Sequence, residues 1–276
     1  MRPSDHSSLV SAFTDFNESK RQQLIAQDDY FQAVVSNHAY ADMTPRTIRG
    51  ISKEVVSGAL NNLSTALLKY FNGEAATSHE VFDSWHNNTC NSFINDCRDA
   101  NISIKYGKAQ KIVNMSFKYL YCLCDETENK GHFDFCHMPL DTYILNWFCD
   151  NVVVSLDAEK RAQVKIDKIK KTSWSNLEYG SSEETYTYMW IQSRIRDYLG
   201  TQNHQYKAAE DKPLTPFLAE FYIWPEQKYL EACKSFCNQP FLNENYPGYS
   251  DNGINKECRI IIDALNMASE RMNTMQ

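Results

Sequence analysis

Two polar residues in apolar surroundings carry the clearest chemical suggestion in this chain. Lys111 lies near the start of an apolar helical stretch, Gly107-Lys-Ala-Gln-Lys-Ile-Val-Asn-Met-Ser-Phe-Lys118-Tyr-Leu-Tyr121. Asp141 follows thirty residues later, in His137-Met-Pro-Leu-Asp141. A partly buried lysine amine loses its proton more easily and becomes a nucleophile toward an electrophilic carbon. A carboxylate at a helix start stays ionised, because the helix dipole favours the anion. Such an anion stabilises a developing oxocarbenium ion or orients an attacking water. Together the two suit cleavage of an N-glycosidic bond in DNA. Each alone reads more plainly, as a solvated lysine and a helix-start aspartate, so the chemistry rests on the pair.

The elements that must position them are helices. Ser52-Lys-Glu-Val-Val opens one, with Val55, Val56, Leu60, Leu63, Leu67 and Phe71 at helical spacing, and Asn72-Gly73 closes it. Ser78 opens a second, with Val81, Phe82, Trp85 and Phe93 facing inward. The third runs from about 109 to 124 and is apolar around much of its circumference, which predicts burial. After a polar loop at 125–131, Pro139-Leu-Asp141 starts a fourth, with proline and an acid in their usual places at a helix start. Segments 183–199, 216–236 and 255–272 also read as helices, while Val152-Val-Val-Ser-Leu and Gln163-Val-Lys-Ile read as short strands or loops. The expectation is a mostly α fold, one compact body of two helical lobes. The first lobe spans about 51–150; the second is built from 1–50 and 151–276.

With 42% hydrophobic residues in 276, the chain can build a substantial core. It has no apolar run long enough to span a membrane and no signal-peptide core near Met1, so a cytoplasmic protein is expected. Nine cysteines without framework or zinc-knuckle spacing predict buried free thiols. The formal net charge of −7 weighs against non-specific nucleic-acid binding. Its distribution is uneven, however. Lysines gather at 105–118 and again, with Arg161, at 160–171.

Gln110-Lys111-Ile-Val-Asn-Met-Ser-Phe-Lys118 resembles the lysine-bearing helix of archaeal 8-oxoguanine DNA glycosylases, a branch of the helix-hairpin-helix glycosylase superfamily. In that family the catalytic lysine is followed by a second lysine seven residues on, as Lys111 is by Lys118. The catalytic aspartate lies about thirty residues downstream in a Pro-apolar-Asp context, as in Pro139-Leu-Asp141. Glu220-Phe-Tyr-Ile-Trp224 has the spacing of the family's late acid and base-stacking tryptophan. The superfamily's Leu-Pro-Gly-Val-Gly hairpin is absent, and Ile104-Lys-Tyr-Gly107-Lys-Ala stands in its place. Outside these segments the chain matches only in being helical.

The resemblance implies a fold of helix-hairpin-helix glycosylase type and a monomer acting on double-stranded DNA, with no metal or other cofactor. The target nucleotide is flipped into a pocket. Asp141 supports departure of the base, and Lys111 attacks the sugar and forms a Schiff base, with strand nicking as a further outcome. Trp224 is the first choice for stacking and Glu220 for reading the base, with Trp85, Tyr40 and Trp147 as further base contacts. Gly107, Lys108, Lys118, Lys165, Lys168 and Lys170 are expected against the phosphates. Related bacterial antiphage glycosylases excise bulky modified cytosines, such as glucosylated hydroxymethylcytosine, from phage DNA. The length of this chain leaves room for a wider pocket, which favours that substrate over 8-oxoguanine.

Two other readings stand beside this one. His132, Asp134, Cys136 and His137 lie close enough in sequence to suggest a metal-dependent hydrolase, without standard ligand spacing. The acidic, otherwise ordinary composition also fits a non-enzymatic helical interaction protein.

Overall fold

The computed structural model describes residue 23 and residues 29–43, 52–123, 130–201 and 214–237. Every regular element among them is helical. The first, α1 (Tyr30–Ala33), widens into a π-helical turn (Val34–Ala39) and resumes as α2 (Tyr40–Met43). Then come α3 (Ser57–Phe71), α4 (His79–Asp99) and α5 (Tyr106–Leu123). After a 3₁₀ turn (Lys130–Phe133), α6 (Thr142–Trp147) runs into a second π-helical turn (Phe148–Val153). α7 (Ala158–Gln163) and α8 (Ile166–Lys171) precede a 3₁₀ turn (Trp174–Asn176), followed by α9 (Tyr188–Gly200) and α10 (Pro216–Cys237). No helix among the described residues is long and apolar enough to cross a membrane.

The chain forms two units, Ser4–Trp224 and a smaller one of Met1–Pro3 with Pro225–Gln276. The division falls after Trp224. Of the smaller unit, the described part is the distal half of α10, which begins at Pro225. The helix expected at 255–272 lies outside the described residues.

Within the larger unit, α5 is central. It packs against α4, α2, the first π-helical turn and the Trp174–Asn176 turn. Fifteen of its 18 residues are buried, and only Lys108, Lys111 and Tyr121 keep appreciable exposure. Ile112, Val113, Phe117 and Leu120 are almost fully buried, each contributing about 1.5–3 kcal/mol by leaving water. The burial predicted for this helix is present. Polar residues share it, however: Gln110, Asn114, Ser116 and Lys118 are also inside.

The chain enters α5 through a tight hairpin. α4 is capped at its start by Ser78, whose hydroxyl accepts the Val81 N–H. At its end Asn101 takes a left-handed conformation (φ 61°). The N–H groups of Ile102 and Asn101 return to the carbonyls of Cys97 and Arg98, which closes the last helical turn in a Schellman arrangement. Val81 faces solvent at 51% exposure, while Phe82 and Phe93 carry the inner face.

Several boundaries differ from expectation. α3 starts at Ser57 because residues 53–56 form a turn that leaves Val55 52% exposed. α9 starts at Tyr188, where the Thr187 hydroxyl accepts the Trp190 N–H. Val152 and Val153 close a π-helical turn, and Gln163 ends α7, so neither apolar run forms a strand. Cys90, Cys97, Cys122, Cys136 and Cys149 are free and buried.

Candidate active site

Lys111 and Asp141 meet. The Lys111 Nζ donates to Asp141 Oδ2 at 2.9 Å, and the two side chains keep 12% and 14% exposure. Trp224 Nε1–H donates to the same oxygen at 2.8 Å. The other oxygen, Oδ1, accepts the Ile144 N–H at 3.1 Å, which makes Asp141 the N-cap of α6. One carboxylate therefore ties together α5, α6 and α10.

Burial opposes ionisation of Asp141, but the Lys111 charge and the hydrogen bonds from Lys111, Ile144 and Trp224 outweigh it. The carboxyl group is held below its ordinary value of 3.8 and is an anion at neutral pH. Trp224 is half-buried and meets Tyr143 edge-to-face, with ring centres 5.6 Å apart.

Two glutamines hold the extended segment that delivers Asp141. Gln110 Nε2 donates to the Leu140 carbonyl at 2.9 Å, and its Oε1 accepts the Leu140 N–H at 3.3 Å. Gln192, from α9, does the same for Met138, at 2.7 and 3.2 Å. The side-chain amides thus replace the neighbouring strand that an extended backbone otherwise needs to satisfy its buried polar groups.

A second charged pair lies deeper. Lys118, two helical turns beyond Lys111, forms a buried ion pair with Glu220, one turn before Trp224 on α10. Burial lowers the Lys118 pKa against the opposing pull of Glu220, and the nearby Lys111 charge adds to the lowering. The ammonium also lies 4.7 Å from the Phe221 ring centre. The expected phosphate contact at Lys118 is therefore corrected: its amine cannot reach a backbone outside the protein without leaving Glu220. Glu220 is likewise 1% exposed and paired, so in this conformation it does not face a base.

Other expected contacts are corrected as well. Trp147 (0% exposed) packs edge-to-face on Tyr198, and Tyr40 is 2% exposed, so both belong to the core. Trp85 is half-buried in an aromatic cluster with Tyr70, Phe82 and Phe117. Gly107 does not offer its N–H to a phosphate; it donates to the Leu177 carbonyl at 2.9 Å. The N–H groups of Lys108 and Ala109 bond to the Lys105 carbonyl. The glycine serves contact instead: a Cβ there would lie 2.0 Å from the Trp174 carbonyl oxygen. Lys108 is half-buried and Lys165 and Lys168 are exposed, while Lys170 pairs with Asp150 at 2.8 Å.

Beside the site runs a buried polar chain that sequence reasoning missed. Tyr106 O–H donates to His86 Nδ1 (3.1 Å), and His86 Nε2–H to Asn114 Oδ1 (3.0 Å). Asn114 Nδ2 donates to Tyr188 Oη (3.0 Å), the Tyr188 hydroxyl lies 2.8 Å from His137 Nδ1, and His137 Nε2 lies 2.6 Å from Asp83 Oδ1 and 2.7 Å from Arg196 Nη2. Arg196 closes the chain with two hydrogen bonds to the Asp83 carboxylate. Burial lowers the His86 pKa well below the ordinary value. Burial also lowers His137, to about 4, despite the opposing pull of Asp83. Both rings are neutral at pH 7. The chain was hidden because its members are spread from 83 to 196; the legible hint was Gln110, Asn114 and Lys118 at four-residue intervals on an otherwise apolar helix.

His137 thus faces the core rather than a metal. Cys136 Sγ donates to the His132 carbonyl, and His132 Nε2 lies 3.1 Å from the Gly73 carbonyl. Among the described residues, no three His, Cys, Asp or Glu side chains gather as a metal-binding group.

Comparison with protein-family models, with curated proteins and with solved structures gives no match.

Proposed function

We propose that this protein is a DNA glycosylase of helix-hairpin-helix type that removes a modified base. The observation that carries the reading is the shared oxygen of Asp141. A largely buried, ionised carboxylate, 14% exposed, accepts from Lys111 and Trp224 at once. That combines an anion for an oxocarbenium ion, an amine for the anomeric carbon and an aromatic ring for the extruded base. The tight α4–α5 hairpin ahead of the lysine-bearing helix supports the fold type.

In this reaction the bond between C1′ and the base breaks, and the base leaves with a proton. Asp141 balances the positive charge that grows on the sugar. Lys111, having given up a proton, forms the new bond to C1′. Opening of the sugar ring yields a Schiff base, from which β-elimination breaks the 3′ C–O bond. Where water attacks in place of Lys111, the product is an intact abasic site. Lys111 is the better nucleophile of the two lysines, because Lys118 is sequestered by Glu220. The preferred substrate is a bulky modified cytosine of phage DNA, with 8-oxoguanine as the alternative base.

The test incubates the protein with DNAs carrying glucosylated hydroxymethylcytosine, other modified cytosines or 8-oxoguanine. An aldehyde-reactive probe reports abasic sites, and borohydride traps the lysine adduct. Base release from at least one substrate is expected, with a loss of 10²-fold or more in Asp141→Asn. That variant keeps the α6 cap, since asparagine caps as well as aspartate, so its melting temperature should stay within a few degrees of wild type. Trapping lost in Lys111→Gln and retained in Lys118→Gln identifies the nucleophile. No abasic sites on any substrate, with the protein folded, overturns the proposal.

A further inference from the structure

The hairpin before α5 is closed to phosphates. The N–H groups of Gly107, Lys108 and Ala109 are all taken by carbonyls of the chain. Trp174 and Leu177 lie directly on Gly107, and Lys105 pairs with Glu178. The segment that covers the hairpin is the same one that concentrates positive charge. Between 160 and 171 there are six cations and one carboxylate, in a chain of net charge −7.

Three of those cations form one surface. An open hollow of about 670 Å³ is lined by Lys165, Lys168 and Lys171, with Val164 and Ile166 as its apolar part and Asp167 as its one carboxylate. Lys160 and Lys170 are occupied by Asp157 and Asp150. Among the described residues no ion pair engages Lys165, Lys168 or Lys171. The surface is held in place. Ile169 is buried, and α8 packs on α6 and on the turn that follows it. The Tyr186 hydroxyl accepts the Lys165 N–H at 2.9 Å, and its ring lies 3.9 Å below the Lys168 ammonium. α6 is the short helix, about 9 Å long, whose first residue follows Asp141.

We infer that Lys165, Lys168 and Lys171 form the phosphate-binding surface of this protein, engaging a nucleic-acid backbone in place of the hairpin. The inference rests on the glycosylase reading for its choice of polyanion, but its test does not. A basic surface packed on α6 and the turn that follows it positions a backbone and carries no base information. It also explains how an acidic chain binds DNA: the net charge repels, and the local field of three unpaired lysines attracts.

The experiment measures fluorescence anisotropy of a labelled, unmodified duplex with the full chain across a salt series. Wild type is expected to bind with a steep salt dependence. The triple variant Lys165→Gln/Lys168→Gln/Lys171→Gln should bind at least tenfold more weakly. Its slope of log K against log salt should be shallower by about 0.9 for each lysine that neutralises a phosphate. Lys69→Gln, on the exposed face of α3, should bind as wild type does. Wild-type affinity and slope in the triple variant, equal weakening by Lys69→Gln, or no binding by wild type at low salt each overturn the inference. Base release is scored separately. Salt-dependent binding through these lysines without base release leaves the surface standing and removes the enzyme; base release untouched in the triple variant does the reverse.

Discussion

Gln110 grips Leu140 by both of its backbone groups, at 2.9 and 3.3 Å. Because Gln110 precedes Lys111 and Leu140 precedes Asp141, this one amide sets the register between the lysine and the carboxylate. Gln110→Ala should leave a buried N–H and carbonyl unsatisfied, at a cost of about 1–3 kcal/mol. It should also lower base release by about 10²-fold if Asp141 moves by as little as 1 Å. Denaturant unfolding and single-turnover release measure the two effects. A variant that loses stability but releases base at the wild-type rate would show that Gln110 only braces the fold.

The buried pair of Lys118 and Glu220 is predicted to matter asymmetrically. Glu220→Leu leaves a buried ammonium with its carboxylate removed and should cost about 3–5 kcal/mol. Lys118→Met together with Glu220→Leu removes both charges and should recover most of that loss. Urea unfolding of the two variants and the wild type decides it; equal destabilisation by single and double variants would contradict the ion-pair account.

Acid should destabilise the protein before carboxylates titrate. His137 titrates near 4 in the folded chain and near 6.5 when unfolded. Between those values the unfolded chain binds more protons, so stability is complete above about 6.5 and falls as pH drops toward 4. The His137 contribution is of order 3 kcal/mol over that window, and His86 acts in the same direction. Unfolding free energy measured at about pH 7 and pH 5 should differ by about 2 kcal/mol or more. A flat profile across that interval would mean that the rings carry charge in the folded state.

Gly107→Ala tests the covering of the hairpin. A Cβ at 2.0 Å from the Trp174 carbonyl oxygen and 2.9 Å from the Ser175 carbonyl carbon meets backbone, which cannot rotate away. A loss of about 1–3 kcal/mol or more is expected, read as a lower melting temperature. Gly58→Ala serves as the comparison, since nothing lies within 4 Å of a Cβ there. Equal melting of the two variants would mean that the 174–177 segment is not held on α5.

Much of the site was legible because local rules wrote it. Pro139 and Asp141 mark a helix start by the chemistry of the first turn alone, and Asp141 is that cap. Lys111 and Lys118 share a face because they are seven residues apart. Glu220 and Trp224 share a face because they are four apart. What those rules do not carry is depth. Lys118 reads as a solvated lysine until Glu220, 102 residues away, arrives beside it. Trp147 and Tyr40 read as possible stacking rings until the core closes over them.

The sequence by itself determined the helical class, the central apolar helix and the residue types of the Lys111–Asp141–Trp224 cluster, since periodicity and capping act within a few residues. Only the tertiary structure decided which lysine stays accessible and which is paired in the interior. It also decided that Gln110 and Gln192 hold the segment before Asp141, and that the hairpin is covered while Lys165, Lys168 and Lys171 remain open. The physical reason is common to all of these. Desolvation and charge pairing depend on partners thirty to a hundred residues away, and no local pattern records which partner will be there.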